Sequence, residues 1–113
     1  MNGMGLGDMI TVLEQINPSM PMLVGSLHSY RGYYKDLAFG GTCEPAYTTV
    51  GEVLEACKAA EGKTFTGWKG GDFIMDEYTD LWQSPEGTSS GMRVIAVQVT
   101  PAGASLVCHE EVW

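Results

Sequence analysis

Gly25–Phe39 reads GSLHSYRGYYKDLAF, and the way this stretch is read decides the fold. Tyr30, Tyr33 and Tyr34 offer flat faces for stacking and hydroxyls for hydrogen bonds. Arg31 brings a rigid fork of donors suited to phosphate or carboxylate, and Lys35 a second cation, in a chain with only six Lys or Arg. Gly25 and Gly32 permit backbone approaches that a β-carbon would forbid. The stretch therefore reads as a strand leading into a recognition loop, with Leu37-Ala38-Phe39 returning as a second strand. The returning strand is expected to pair, as a hairpin, with the run Met22-Leu23-Val24 that follows Pro21. The plainer alternative is an aromatic hairpin in which Arg31 simply pairs with Asp36.

Working outward, residues 1–7 (MNGMGLG) read as a frayed start, and Asp8 reads as the cap of a first helix. Met9, Val12, Leu13 and Ile16 repeat at helical spacing, and Asn17-Pro18 ends the run. Gly40-Gly41 breaks the second strand, and residues 40–48 read as a loop. Thr49 and Glu52 form a capping-box pattern ahead of a second helix with Val50, Val53, Leu54 and Cys57 on its apolar face. Gly62 stands where a left-handed C-cap belongs. Further strands are expected at Lys63–Trp68, from Phe73, over Thr79–Trp82, over Met92–Val99 and over Ser105–His109, with residues 84–91 as an exposed loop. The sum is a single α+β domain over residues 1–113, an antiparallel sheet of about five or six strands with two helices on one face.

Composition narrows the function. Fourteen acids against six bases give a net charge of −8, so general binding to DNA or RNA is disfavoured by long-range repulsion. Cys43, Cys57 and Cys108 are odd in number and lack CxxC spacing, which argues against a zinc site or a disulfide scaffold. No apolar run approaches a membrane span, and no basic-then-hydrophobic leader opens the chain, so a soluble protein without a membrane partner is expected. No metal or cofactor is expected either: Asp72, Asp76, Glu77 and Asp80 lack a calcium-loop pattern and read as a solvated acidic hairpin.

The second unusual segment is Gly67–Phe73, GWKGGDF, with glycine, lysine and two aromatic rings in seven positions. KGGD is not a phosphate loop, because the GxxxxGK[ST] spacing is missing. No serine or cysteine motif marks a nucleophile, although His28 and His109 could each pair with an acid. Were residues 25–39 and 67–73 to meet in space, rings, glycine backbone and scarce cations would line one pocket. Tyr30, Arg31, Tyr33, Tyr34, Lys35, Trp68, Lys69, Gly70, Phe73 and Arg93 are the candidate contacts. Rings would stack on a base and cations would hold phosphate, a combination suited to a nucleotide. Taken singly, Phe73 and Trp68 at strand spacing read more readily as core than as a ligand platform, and Lys69 as a solvated turn residue.

The blocks GSxxSYRGYYxDLAF, TVGEVL, FTGWKGGDFxM and TxLW resemble a family of small proteins encoded by bacteriophages and prophages, the likeness running from about residue 23 to residue 97. Small phage proteins of this layout resemble the anti-defence sponges, such as the Thoeris and CBASS inhibitors. The resemblance implies a homo-oligomer in the host bacterial cytoplasm that sequesters a cyclic oligonucleotide or cyclic ADP-ribose signal without cleaving it. It also implies that Arg31, Tyr34, Lys69 and Phe73 touch the ligand. Binding rather than catalysis is thus the expectation. The seven methionines and the aromatic residues fit an oligomer interface. The alternative is a protein-interaction module that caps a host enzyme through the acidic hairpin, residues 72–80.

Overall fold

The computed structural model describes residues 3–30, 35–40, 45–66, 72–84 and 91–109. Its N-terminal residues form part of the core. Met4, Gly5 and Leu6 are buried, and Gly3 and Gly7 on either side are partly exposed. The Met4 N–H donates to the Val94 carbonyl at 2.8 Å, and the Met4 carbonyl accepts from the Leu81 N–H at 3.2 Å. Gly5 bridges to Asp80. The frayed start expected for residues 1–7 is thus corrected from residue 4 onward. The apolar residues recur at strand spacing and fill a gap between two sheet strands.

Helix α1 (Leu6–Glu14) begins before Asp8, with Gly5 as its N-cap. Asp8 is the third helical residue, and its carboxylate accepts from the Gly5 N–H at 3.0 Å. It caps the helix from inside, satisfying a donor that the helix itself leaves unpaired. Helix α2 (Val50–Ala60) starts as expected: the Thr49 hydroxyl accepts from the Glu52 N–H at 3.2 Å. The return bond falls one residue earlier than a standard box, since Glu52 accepts from the Thr48 N–H at 2.9 Å and from its hydroxyl at 2.7 Å. Gly62 follows with φ +81°, the left-handed ending the sequence called for.

Among the described residues the strands are β1 (Pro21–Val24), β2 (Leu27–Ser29), β3 (Asp36–Phe39), β4 (Tyr47–Thr49), β5 (Thr64–Thr66), β6 (Asp72–Ile74), β7 (Asp80–Gln83), β8 (Met92–Thr100) and β9 (Gly103–His109). A five-stranded sheet runs in the order β2-β3-β7-β8-β9, and β1-β4 and β5-β6 form two small ribbons. The α+β class holds. One pair differs from an all-antiparallel sheet: β3 and β7 are parallel, in register from Asp36–Asp80 to Phe39–Gln83. The chain between them carries β4, α2, β5 and β6, long enough for the crossover that parallel strands require.

The expected hairpin is also re-partnered. Met22–Val24 does not pair with Leu37–Phe39; β2 takes that place, with His28 opposite Ala38. Strand β1 pairs instead with β4, inside the stretch read as a loop. The divide lies at Gly25, whose N–H donates to the Gly40 carbonyl at 3.0 Å. A β-carbon there would lie 2.5 Å from the Gly40 carbonyl carbon, so the two backbones meet this closely because residue 25 is glycine.

Both helices share one core with a single face of the sheet. Leu6, Met9 and Leu13 of α1 and Val50, Val53 and Cys57 of α2 pack in a cluster with Leu37, Phe39, Leu81 and Val94. The register places His28, Ala38, Trp82, Arg93 and His109 side by side on the opposite face. All of that row except His109 is buried. The sheet therefore has an apolar face under the helices and an aromatic, polar face behind it.

Candidate functional site

Of the ten predicted contacts, Arg31, Tyr33, Tyr34, Trp68, Lys69 and Gly70 lie outside the described residues. So do Cys43, five of the seven residues of the 67–73 segment, and most of the 84–91 loop. The structure does place the strands that lead into the two glycine-and-aromatic segments. Strand β2, which runs into Tyr30, packs against β5, which ends at Thr66. On the far side of residues 31–34, the Lys35 ammonium donates to the Asp76 carboxylate, two residues beyond β6. That hydrogen bond from Lys35 is the main reason the Asp76 carboxyl is held below the usual carboxylate range.

Tyr30 is 2% exposed, with its ring stacked on Trp82 at a centroid distance of 4.9 Å and 28° between planes. Its hydroxyl accepts from the Gly91 N–H at 2.8 Å, so it fastens the chain just before β8 to the end of β2. Arg93 reaches the same Trp82 ring from the neighbouring strand, its guanidinium carbon 5.3 Å from the centroid. One of its terminal nitrogens donates to Asp80 at 2.7 Å. A charge-assisted bond and a ring face together stabilise a guanidinium withdrawn from water. Phe73 is half-buried opposite Phe65 in the β5-β6 ribbon and packs against the main core.

Those positions change what each residue can do. Tyr30 and Arg93 form the floor of the polar sheet face, where neither offers a free ring face or an uncommitted fork. Lys35 is exposed but already joined to a carboxylate. The two described cations among the predicted contacts are therefore both neutralised by acids. Of the remaining described cations, Lys58 approaches Glu14 at 3.7 Å and Lys63 stands over the Phe65 ring at 5.3 Å.

His28 sits at the β2 end of the polar row, 9% exposed. Its Nδ1 lies 3.2 Å from the Ser26 carbonyl, a contact that suits an Nδ1–H donor and leaves Nε2 as an acceptor. Among the described residues Nε2 has no partner, and neither does the buried Ser29 hydroxyl. An unsatisfied buried polar atom of this kind costs about 1–3 kcal/mol.

The described surface includes two open depressions. One, of 390 Å³, lies between Gly3, Gly5 and Gly7 and the acidic turn of Glu77, Tyr78 and Asp80, with Asp8 at its side. The sequence reading missed it. The available signal is Gly3-Met4-Gly5-Leu6-Gly7, where glycine at alternate positions leaves no side chain to fill the space beside it. The other, of 370 Å³, runs between Pro21 and Leu23 of β1 and the start of β9. Among the described residues no group of three or more His, Cys, Asp or Glu could hold a metal ion. Nor is any described helix long and apolar enough to cross a membrane.

Burial pushes the Cys57 thiol up to about 12, as befits a core residue. Cys108, half-buried and donating to Gln83 at 3.4 Å, is raised for the same reason.

No protein-family model, curated protein or solved structure matches this chain.

Proposed function

We propose that this chain is a phage-encoded binding protein that sequesters a signalling nucleotide, a cyclic oligonucleotide or a cyclic ADP-ribose derivative, in the host bacterial cytoplasm. The observation that carries the reading is the contact of β2 with β5, reinforced by Lys35 on Asp76. It brings the strands leading into residues 31–34 and 67–71 together. Because Lys35 and Arg93 are committed to acids, the charge for a phosphate falls to Arg31 and Lys69. Tyr33, Tyr34 and Trp68 are left to stack on a base. The test is calorimetry of the folded protein against cyclic dinucleotides, cyclic trinucleotides and cyclic ADP-ribose, followed by heat release of the ligand. Tight binding, loss of binding in Arg31→Ala and Lys69→Ala, and recovery of intact ligand are expected. Recovery of a cleaved ligand would make the protein an enzyme, and no binding to any of these ligands ends the reading.

A second reading has its own support. Ile74 and Tyr78 are 63% and 80% exposed within the acidic hairpin that also carries Asp72, Asp76, Glu77 and Asp80. Large exposed apolar side chains ringed by charge mark a surface for a protein partner, here a host enzyme with a basic face. Asp76 already holds Lys35, so charge reversal at Glu77 is the cleaner probe. Glu77→Lys combined with Tyr78→Ala should abolish co-purification of such a partner without altering nucleotide binding.

A further inference from the structure

We infer that β9 is the surface through which two copies of this chain pair, edge to edge, into a two-fold dimer. The two edges of the main sheet are unlike. Strand β2 is three residues long and lies against β5. Strand β9 is seven residues long and, among the described residues, pairs only with β8. Its first residues are covered, since Gly103 lies against the Pro21 carbonyl. Among the described residues no strand pairs with the outward edge from Ser105 to His109, and β1 lies near the start of β9.

That run lacks the devices that keep an edge from pairing, such as lysine, proline or a bulge on the edge strand facing solvent. The one irregularity in the β8–β9 ladder sits on β8, between Val94 and Ala96. The charge pattern selects the occupant. The molecule carries fourteen acids and a net charge of −8, yet residues 94–109, VIAVQVTPAGASLVCH, contain no Asp, Glu, Lys or Arg. Two copies repel one another over most of their surface, and this hairpin is where they approach without bringing acids together. The exposed Leu23, at 50%, adds apolar area beside the start of β9.

An antiparallel pair of identical strands is closed by a two-fold axis, so each patch meets its own copy and no β9 edge is left unpaired. Centred on the middle of the open run, the axis passes Val107, and the two five-stranded sheets become one continuous sheet. This proposal stands apart from the ligand reading, because a monomer that still binds nucleotide would leave that reading intact.

The experiment is light scattering on the full chain, with a cysteine trap. Twice the monomer mass of 12.2 kDa is expected for the native sequence. Ser105→Lys, at an exposed position, is expected to return it to the monomer mass with an unchanged circular dichroism spectrum. In a chain with Cys43→Ser and Cys108→Ser, Val107→Cys is expected to yield a disulfide-linked dimer on oxidation. Residues facing each other across an antiparallel pair have Cα atoms about 4.5–5.5 Å apart, within disulfide reach. A monomeric native protein overturns the proposal. So does a dimer in which Val107→Cys forms no crosslink, and so does a stable complex of this edge with a different protein in place of self-pairing.

Discussion

Arg93 and Asp80 are joined at 2.7 Å but differ in their access to water: the arginine side chain is 11% exposed and the aspartate 51%. The pair is therefore unequal. Removing the aspartate leaves a guanidinium withdrawn from water with, among the described residues, the Trp82 ring as compensation. Removing the arginine leaves a carboxylate that water already reaches. Asp80→Ala is expected to cost about 1–3 kcal/mol. Arg93→Met, which keeps the apolar packing on Trp82, is expected to cost less. Urea unfolding midpoints decide it, and a larger loss for Arg93→Met would show that the ring contact dominates the pair.

Gly25 and Gly62 were both legible as special positions, and they are special for different reasons. At Gly25 the obstacle is another backbone, the Gly40 carbonyl carbon 2.5 Å from a built β-carbon. Gly25→Ala is expected to cost about 1–3 kcal/mol by forcing the β2–β3 hairpin open. At Gly62 nothing lies within 4 Å, and only φ +81° resists a side chain. Gly62→Ala is expected to cost about 1 kcal/mol, with Gly62→Asn recovering most of it because asparagine tolerates the left-handed region. Thermal melts in which Asn fails to outperform Ala at position 62 would contradict this assignment.

These positions also show how far the sequence could be read. The Thr49–Glu52 start, the apolar face with Cys57 and the Gly62 ending are local, set by hydrogen bonds and spacings within one turn, and each was recoverable from adjacent residues. The partner of β1 was not, because pairing is decided by contacts 23 and 28 residues apart, from Val24 to Tyr47 and from Pro21 to Thr49. The parallel β3–β7 step depends likewise on where a long crossover returns. The site was legible as composition, since rings, glycines and cations cluster visibly at 25–39 and 67–73. It was not legible as geometry: nothing local announces that Arg93 will be spent on Asp80, or Tyr30 on Trp82.

Two of the three cysteines offer a measure of core integrity. Cys57 is fully buried on α2, with its thiol pushed up to about 12 by loss of solvation, and Cys108 is half-buried. The thiolate is the reactive form, so a folded chain should leave Cys57 unmodified by a maleimide at neutral pH, while Cys108 is modified slowly. Denaturant should make both react. Peptide mapping by mass spectrometry identifies the labelled residue, and modification of Cys57 in the native protein would mean that α2 detaches from the core.

Glu52 gives a pH dependence with a definite sign. The Thr48 hydroxyl is the largest cause holding its carboxyl below the ordinary value of 4.5, followed by the Thr48 N–H. A carboxyl whose folded value is depressed adds stability above its unfolded value, and that stability is lost as pH falls through the folded value. Glu52→Gln mimics the protonated side chain, so the native chain should melt higher than Glu52→Gln near neutral pH. The gap should close on acidification below 4.5. Asp76, held down by Lys35, loses its own contribution over the same range in both proteins, so the comparison isolates the start of α2. The carboxylate resonance of Glu52 should titrate below that of an unfolded reference. A gap between the two melting temperatures that persists unchanged into acid would place the role of Glu52 in packing and not in its charge.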